Sequence, residues 1–205
     1  MNKRIGDYLD ELFNNPICEL VFKKDYELLI AVVLSAQCTD KRVNQVTKVL
    51  FDKYKTLDDL NKADIEDIIK IIRPVGTFNK KSLFIKEIAF KLVNNYEGKV
   101  PNNRKALEEL PGVGRKTTNV VLSVLFNEPT IAVDTHVFRV SNRLGLVKEG
   151  DSVNQVEQKL MKLIDKNLWS KRHHQLVMFG RYYCKARNPL CNTCKINDLC
   201  KYRIK

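Results

Sequence analysis

Apolar residues recur along this chain at three- and four-residue intervals and almost never alternate, the pattern of helices with one buried face. Ile5, Leu9, Leu12 and Phe13 mark a first amphipathic helix, which Pro16 ends. From Asp25 the pattern changes: Leu28, Leu29, Val32 and Val33 lie in a helix that is apolar nearly all round, as a central buried helix would be. Thr39 or Asp40 can cap the next helix, whose face is Val43, Val46, Leu50, Phe51 and Tyr54. Asp64 begins another with Ile65, Ile68, Ile69 and Ile72, closed by Pro74-Val75-Gly76. Leu83, Ile85, Ile88, Ala89, Leu92 and Val93 form one more, with Gly98 as its stop. Further on, helices carry Val137, Val140 and Leu144, then Val156, Leu160, Leu163 and Ile164 from about Asp151, and finally Leu176, Val177 and Phe179. No repeat, low-complexity run or alternating strand pattern appears, so the predicted fold class is all-α.

One stretch interrupts this regularity. Leu107 and Leu110 are three apart, Pro111 stops their helix, Gly112 and Gly114 allow a turn closed to residues with a Cβ, and Val120, Val121 and Val124 resume helical spacing. The pattern reads as helix, tight hairpin, helix. Such a turn either merely joins two helices or points backbone N–H groups at an anion, where missing side chains let a phosphate approach. Lys116 falls in the first turn of the second helix, where the dipole favours an acid over a cation. It either contacts a phosphate or acts as an amine nucleophile, and the second role asks for a partner carboxylate. The helix from Arg115 to Phe126 would rise about 18 Å. The segment Asn127 to Val133 can span up to about 23 Å when extended, enough to return Asp134 beside Lys116. Asp134 also suits the N-cap of the helix that follows, and the two roles are compatible.

Composition narrows the partner. The 205 residues carry 36 Lys plus Arg against 24 Asp plus Glu, a formal charge of +12, which favours a polyanion. Residues 171 to 205 hold nine Lys or Arg and one acid, so +8 of that charge sits in the last 35 residues. Met1 to Phe13 lacks the apolar core of a signal peptide, and the longest apolar run, Leu28 to Leu34, is far short of a membrane span. A soluble, cytoplasmic protein is expected.

Cys184, Cys191, Cys194 and Cys200 fall within 17 residues, a spacing that will bind a soft metal centre. Four-cysteine zinc sites usually show two Cys-x2-Cys pairs and here there is one, so zinc and an iron-sulfur cluster both stand on spacing alone. Cys18 and Cys38 lie outside the spacing and read as buried thiols. His173 and His174 are adjacent, so they point about 100° apart on a helix and do not share one ion; they read as structural or phosphate-facing. Trp169 reads as a core or interdomain residue.

Leu110-Pro-Gly-Val-Gly-Arg-Lys116 followed by Val133-Asp-Thr-His136, with Leu34-Ser-Ala-Gln-Cys-Thr-Asp40 before and the cysteine loop after, resembles the iron-sulfur type of helix-hairpin-helix DNA glycosylases, the endonuclease III family. The resemblance covers nearly the whole chain. It implies a bifunctional DNA glycosylase and AP lyase of base excision repair that removes oxidised pyrimidines and cleaves 3′ to the abasic site by β-elimination. Lys116 is then the Schiff-base nucleophile and Asp134 its catalytic carboxylate. Gly112, Gly114 and Arg115 would hold the DNA backbone, and Gln37 would fill the gap left by the extruded base. Thr77 stands where relatives place a bulky apolar wedge, with Phe78 following; Phe78 can equally be a core residue. The four cysteines would hold a [4Fe-4S] cluster, with Lys185, Arg187 and Lys195 facing the phosphates.

The same resemblance implies two helical lobes with a cleft between them: residues 18–128, containing the hairpin at about 103–126, and residues 1–17 plus 129–205. The implied partner is double-stranded DNA with damaged bases or abasic sites, bound by a monomer at a prokaryotic nucleoid. An adenine or mismatch glycosylase would share the hairpin, Asp134 and the cluster, but those relatives generally lack the hairpin lysine. A DNA-binding module with structural zinc would release no base.

Overall fold

In a computed structural model that describes residues 1–202, the chain is helical throughout, with eleven α-helices and no strand among those residues. Arg203 and Lys205 of the basic tail lie outside the described residues. The chain divides into two compact units, Glu19–Phe126, and Met1–Cys18 together with Asn127–Lys205.

The first unit is built around α2 (Asp25–Leu34), which is buried at every position from Tyr26 to Leu34. Each fully buried Leu or Ile there contributes about 1.5–3 kcal/mol. Its N-terminus is closed by the buried Glu27 carboxylate, which accepts from the N–H groups of Lys23 (2.7 Å) and Lys24 (3.3 Å). Packed on α2 are α3 (Asp40–Lys53), capped by Thr39, then α6 (Phe78–Asn95) and α8 (Arg115–Phe126). The short α4 (Leu57–Lys62) and α5 (Ile65–Ile72) lie against α6. Between α6 and α8 stands α7 (Arg104–Glu108).

Several expectations shift. The helix α4 has no place in the hydrophobic pattern because six residues are too few to show a period. Its signal is the capping box of Thr56 and Asp59. Leu83 is exposed, since it lies half a turn of helix away from the buried Leu92. The buried places early in α6 go to Lys81 and Ser82.

The second unit packs α1 (Lys3–Leu12), α9 (Thr135–Arg143), α10 (Val153–Leu163) and α11 (Trp169–Tyr182) around Leu9, Val137, Val140, Val156, Leu160, Leu176 and Phe179. Here α10 starts at Val153 rather than near Asp151, because Ser152 and Gln155 form the capping box. Asp151 is instead engaged by Lys148 N–H and by Lys159. Leu163, the last residue of α10, is exposed and Ile164 takes the buried place. Short 3-10 turns lie at Lys166–Leu168, Cys191–Thr193 and Asn197–Leu199. Among the described residues no helix is long and apolar enough to cross a membrane.

Candidate functional site

The hairpin forms as its sequence dictates. The Asn103 side chain caps α7 by accepting from Ala106 N–H at 2.8 Å, and α8 begins at Arg115 with Thr118 N–H bonded to Gly114 O at 2.9 Å. Arg104 on α7 donates to Asn119 on α8 at 2.6 Å and so braces the two helices. Gly112 has φ +74°, and a Cβ there would stand 2.5 Å from the Phe84 ring, so the turn is closed to other residues at this position. Gly114 differs from expectation: a Cβ there would meet nothing within 4 Å. No internal contact demands glycine at 114, and the space it leaves faces solvent. Arg115 and Lys116 are exposed in the first turn of α8, beside N–H groups that have no acceptor within the helix.

Gln37 and Thr77 lie on adjacent turns of the same unit. Each is a non-glycine residue in the left-handed region, at φ 57° and 55°, and both are exposed. A Cβ on Gly76 would sit 4.0 Å from Gln37 O, and Arg42 donates to Pro74 O at 3.5 Å, which ties α3 to the Thr77 turn. Phe78 is half-buried as the first residue of α6, so the apolar ring lies partly inside the fold and Thr77 is the more exposed of the pair.

Asp134 caps α9, its Oδ1 accepting from Val137 N–H at 2.8 Å. The same helix holds the cysteine loop. Arg139 donates to Cys184 O (3.2 Å) and Gly180 O (2.6 Å). Arg143 donates to Lys185 O (2.7 Å), Ala186 O (3.2 Å) and Cys184 Sγ (3.5 Å), and its guanidinium lies 3.9 Å from the centre of the Tyr202 ring. The loop returns through Lys201 N–H to Arg143 O at 2.8 Å. Close packing of α9 on α11 requires Gly180, where a Cβ would come within 2.9 Å of His136 Cβ. His173 is buried, a structural residue rather than a phosphate-facing one, and burial lowers the pKa of His174. Trp169 donates its indole N–H to Ile164 O at 2.8 Å at the edge of the core. Arg139 and Arg143 were missed from sequence; their only signal was two arginines four apart on the helix that follows Asp134.

The four cysteines line one cavity, walled by Leu144, Phe179, Tyr183, Leu190 and Tyr202. Burial pushes the Cys194 and Cys200 thiols up, and the neighbouring cysteines push them further. Four thiolates so placed repel one another unless a cationic core sits among them, and thiolates are the ligands of iron-sulfur centres. The donor set therefore fits a cluster. Around it, Lys185 and Arg187 are exposed, whereas the ammonium of Lys195 is paired with the Glu11 carboxylate.

Residues 30–166 match the model of the HhH-GPD superfamily base excision DNA repair proteins, and residues 184–200 match the iron-sulfur binding domain of endonuclease III. Endonuclease III of Bacillus subtilis is 47% identical over 195 residues, covering 95% of this chain and 89% of that protein. The Rickettsia conorii enzyme is 48% identical over 206 residues, covering 98% of each. A solved endonuclease III, trapped as a covalent intermediate with DNA, superposes with a TM-score of 0.93 at 48% identity, covering 98% of this chain and 96% of that one. The chain belongs to the endonuclease III family of the HhH-GPD superfamily, base excision repair enzymes that are DNA glycosylases with AP lyase activity and carry a [4Fe-4S] cluster in a C-terminal iron-sulfur domain.

Proposed function

We propose that this chain is a monomeric, cytoplasmic DNA glycosylase and AP lyase acting on oxidised pyrimidines in double-stranded DNA. The observation that carries this reading is the exposed Lys116 in the first turn of α8, directly behind the Gly112–Gly114 hairpin. The N–H groups at that helix end suit a phosphate, and Gly114 leaves room for its approach. The target base must leave the stack before its sugar carbon can be reached, and an oxidised pyrimidine, having lost aromaticity, is cheaper to extrude. Gln37 would fill the gap, with Thr77 at the edge of the same surface.

Lys116 Nζ attacks C1′, and the base departs with the electrons of the glycosidic bond while Asp134 stabilises the positive sugar or assists proton transfer. Sugar-ring opening leaves an imine between C1′ and Lys116. Loss of the acidified C2′ proton then expels the 3′ phosphate by β-elimination. The relative captured as a covalent intermediate supports chemistry of this kind. Cys184, Cys191, Cys194 and Cys200 would hold the cluster, which would serve structure by fixing the loop that carries Lys185 and Arg187.

Borohydride trapping on a duplex with one oxidised pyrimidine, with Lys116→Gln in parallel, tests this. A covalent adduct that disappears in the variant is expected. Base release without an adduct would make the protein monofunctional and remove Lys116 from its role.

A further inference from the structure

Lys81 lies in the first turn of α6 and is 3% exposed, yet its partners are carbonyls rather than a carboxylate. Its Nζ donates to Leu34 O at 3.0 Å and to Ala36 O at 2.7 Å, at the end of α2. Burying an ammonium is costly unless it is well bonded, and burial pushes this one's pKa down. The carbonyl end of the α2 dipole offsets part of that cost. Packing alone does not call for a cation here. Position 81 lies on the face of α6 that carries Ile88, and an apolar side chain would fill it.

What the lysine joins explains its place. Ala36 immediately precedes Gln37, while the backbone N–H of Lys81 bonds to Thr77 O at 3.1 Å. One residue is thus bonded through its side chain to the turn bearing Gln37 and through its backbone to the turn bearing Thr77. Those two residues hold left-handed conformations that persist only where the surroundings over-determine them.

We propose that Lys81 is a positioning residue that locks the Gln37 and Thr77 turns into one rigid edge, so that both meet an unstacked duplex in fixed register. The proposal rests on the reading of Gln37 as the residue that fills the gap in the stack.

The test uses the full chain with its cluster and two probes, a duplex carrying a tetrahydrofuran abasic analogue and its undamaged counterpart. Lys81→Met fills the same volume without donors. Its unfolding midpoint falls modestly, because two carbonyls lose their donor, while its cluster absorbance and its affinity for undamaged duplex are expected to hold, because the buried lysine touches no phosphate. Its preference for the abasic probe falls at least about tenfold, as a small misplacement of a contact residue does. Lys81→Arg, which keeps donors near the same carbonyls, restores part of the preference. Gln37→Ala loses preference alone and adds little in the double variant, because the two act as one unit.

Full preference in Lys81→Met, or losses that simply add in the double variant, would overturn the role of Lys81 and leave that of Gln37 standing. Full preference in Gln37→Ala would remove the gap-filling reading itself, and this proposal with it. If Lys81→Met does not fold, Lys81→Gln goes through the same assay, where wild-type preference again counts against the proposal.

Discussion

Two glycines in the hairpin have different reasons to be glycine, and substitution separates them. At Gly112 an alanine would be held at φ +74° with its Cβ 2.5 Å from the Phe84 ring. Left-handed strain and overpacking together predict a loss of about 2–4 kcal/mol for Gly112→Ala, read by urea unfolding of the holoprotein. At Gly114 an alanine meets nothing within 4 Å. Gly114→Ala is therefore expected to change stability by less than about 0.5 kcal/mol while weakening duplex binding several-fold, because on the proposed reading its methyl would occupy the space through which a phosphate approaches. Wild-type duplex affinity in Gly114→Ala would mean that no backbone approaches this closely. The hairpin was legible in sequence because proline and glycine have backbone chemistry no other residue shares. Lys81 was not: a lysine in an amphipathic helix reads as solvated, and the carbonyls that bury it come from residues 45 and 47 positions earlier.

Among the elements, α1 and α11 are joined by a polar knot beside the core they share. Arg172 donates to Asp10 at 2.8 Å and to Gln175 at 2.6 Å, Lys171 pairs with the same carboxylate at 2.6 Å, and Gln175 donates to Phe13 O at 2.8 Å. The Arg172 guanidinium, and then Lys171 and Gln175, hold the Asp10 carboxyl far below the usual carboxylate range against the opposing effect of burial. A carboxyl pKa depressed by folding contributes stability that is fully present above the unfolded value and is lost as pH falls through that value toward the folded one. Asp10→Asn is therefore expected to cost about 1–3 kcal/mol at pH 7, less than for a fully buried pair because Asp10 is partly exposed. Its deficit against wild type narrows as pH drops below about 4. Denaturant titrations of both proteins at pH 7 and pH 3 check this, and a deficit that does not change with pH would assign the loss to shape rather than charge. The long helices were legible because a buried stripe repeats over several turns. The five- and six-residue helices α7 and α4 rest on caps and tertiary contacts, so only α7, flanked by Pro111, left a mark in the pattern.

Across the whole molecule the +12 charge was plain from composition, but which cations remain available to a polyanion was not. Lys171 and Arg172 are paired with Asp10 and Lys195 with Glu11, while Arg143 is turned inward onto the cysteine loop. Lys185 and Arg187 are exposed on that loop, so the tail's formal excess is divided between cations that serve the fold and cations that face outward. Each phosphate contact that releases a counterion adds about 0.9 to the slope of log affinity against log salt on duplex DNA. Removing both contacts in Lys185→Ala/Arg187→Ala is expected to lower that slope by about 2. The change should be the same on damaged and undamaged duplex, because phosphates carry no lesion information. Lys171→Ala is expected to leave the slope unchanged, since its ammonium is held on the Asp10 carboxylate at 2.6 Å. Binding titrations over a range of salt concentrations decide the point. A slope unaffected by the loop substitutions would mean that the cluster loop is folded without touching DNA, and that the hairpin and the Gln37–Thr77 edge alone hold the duplex.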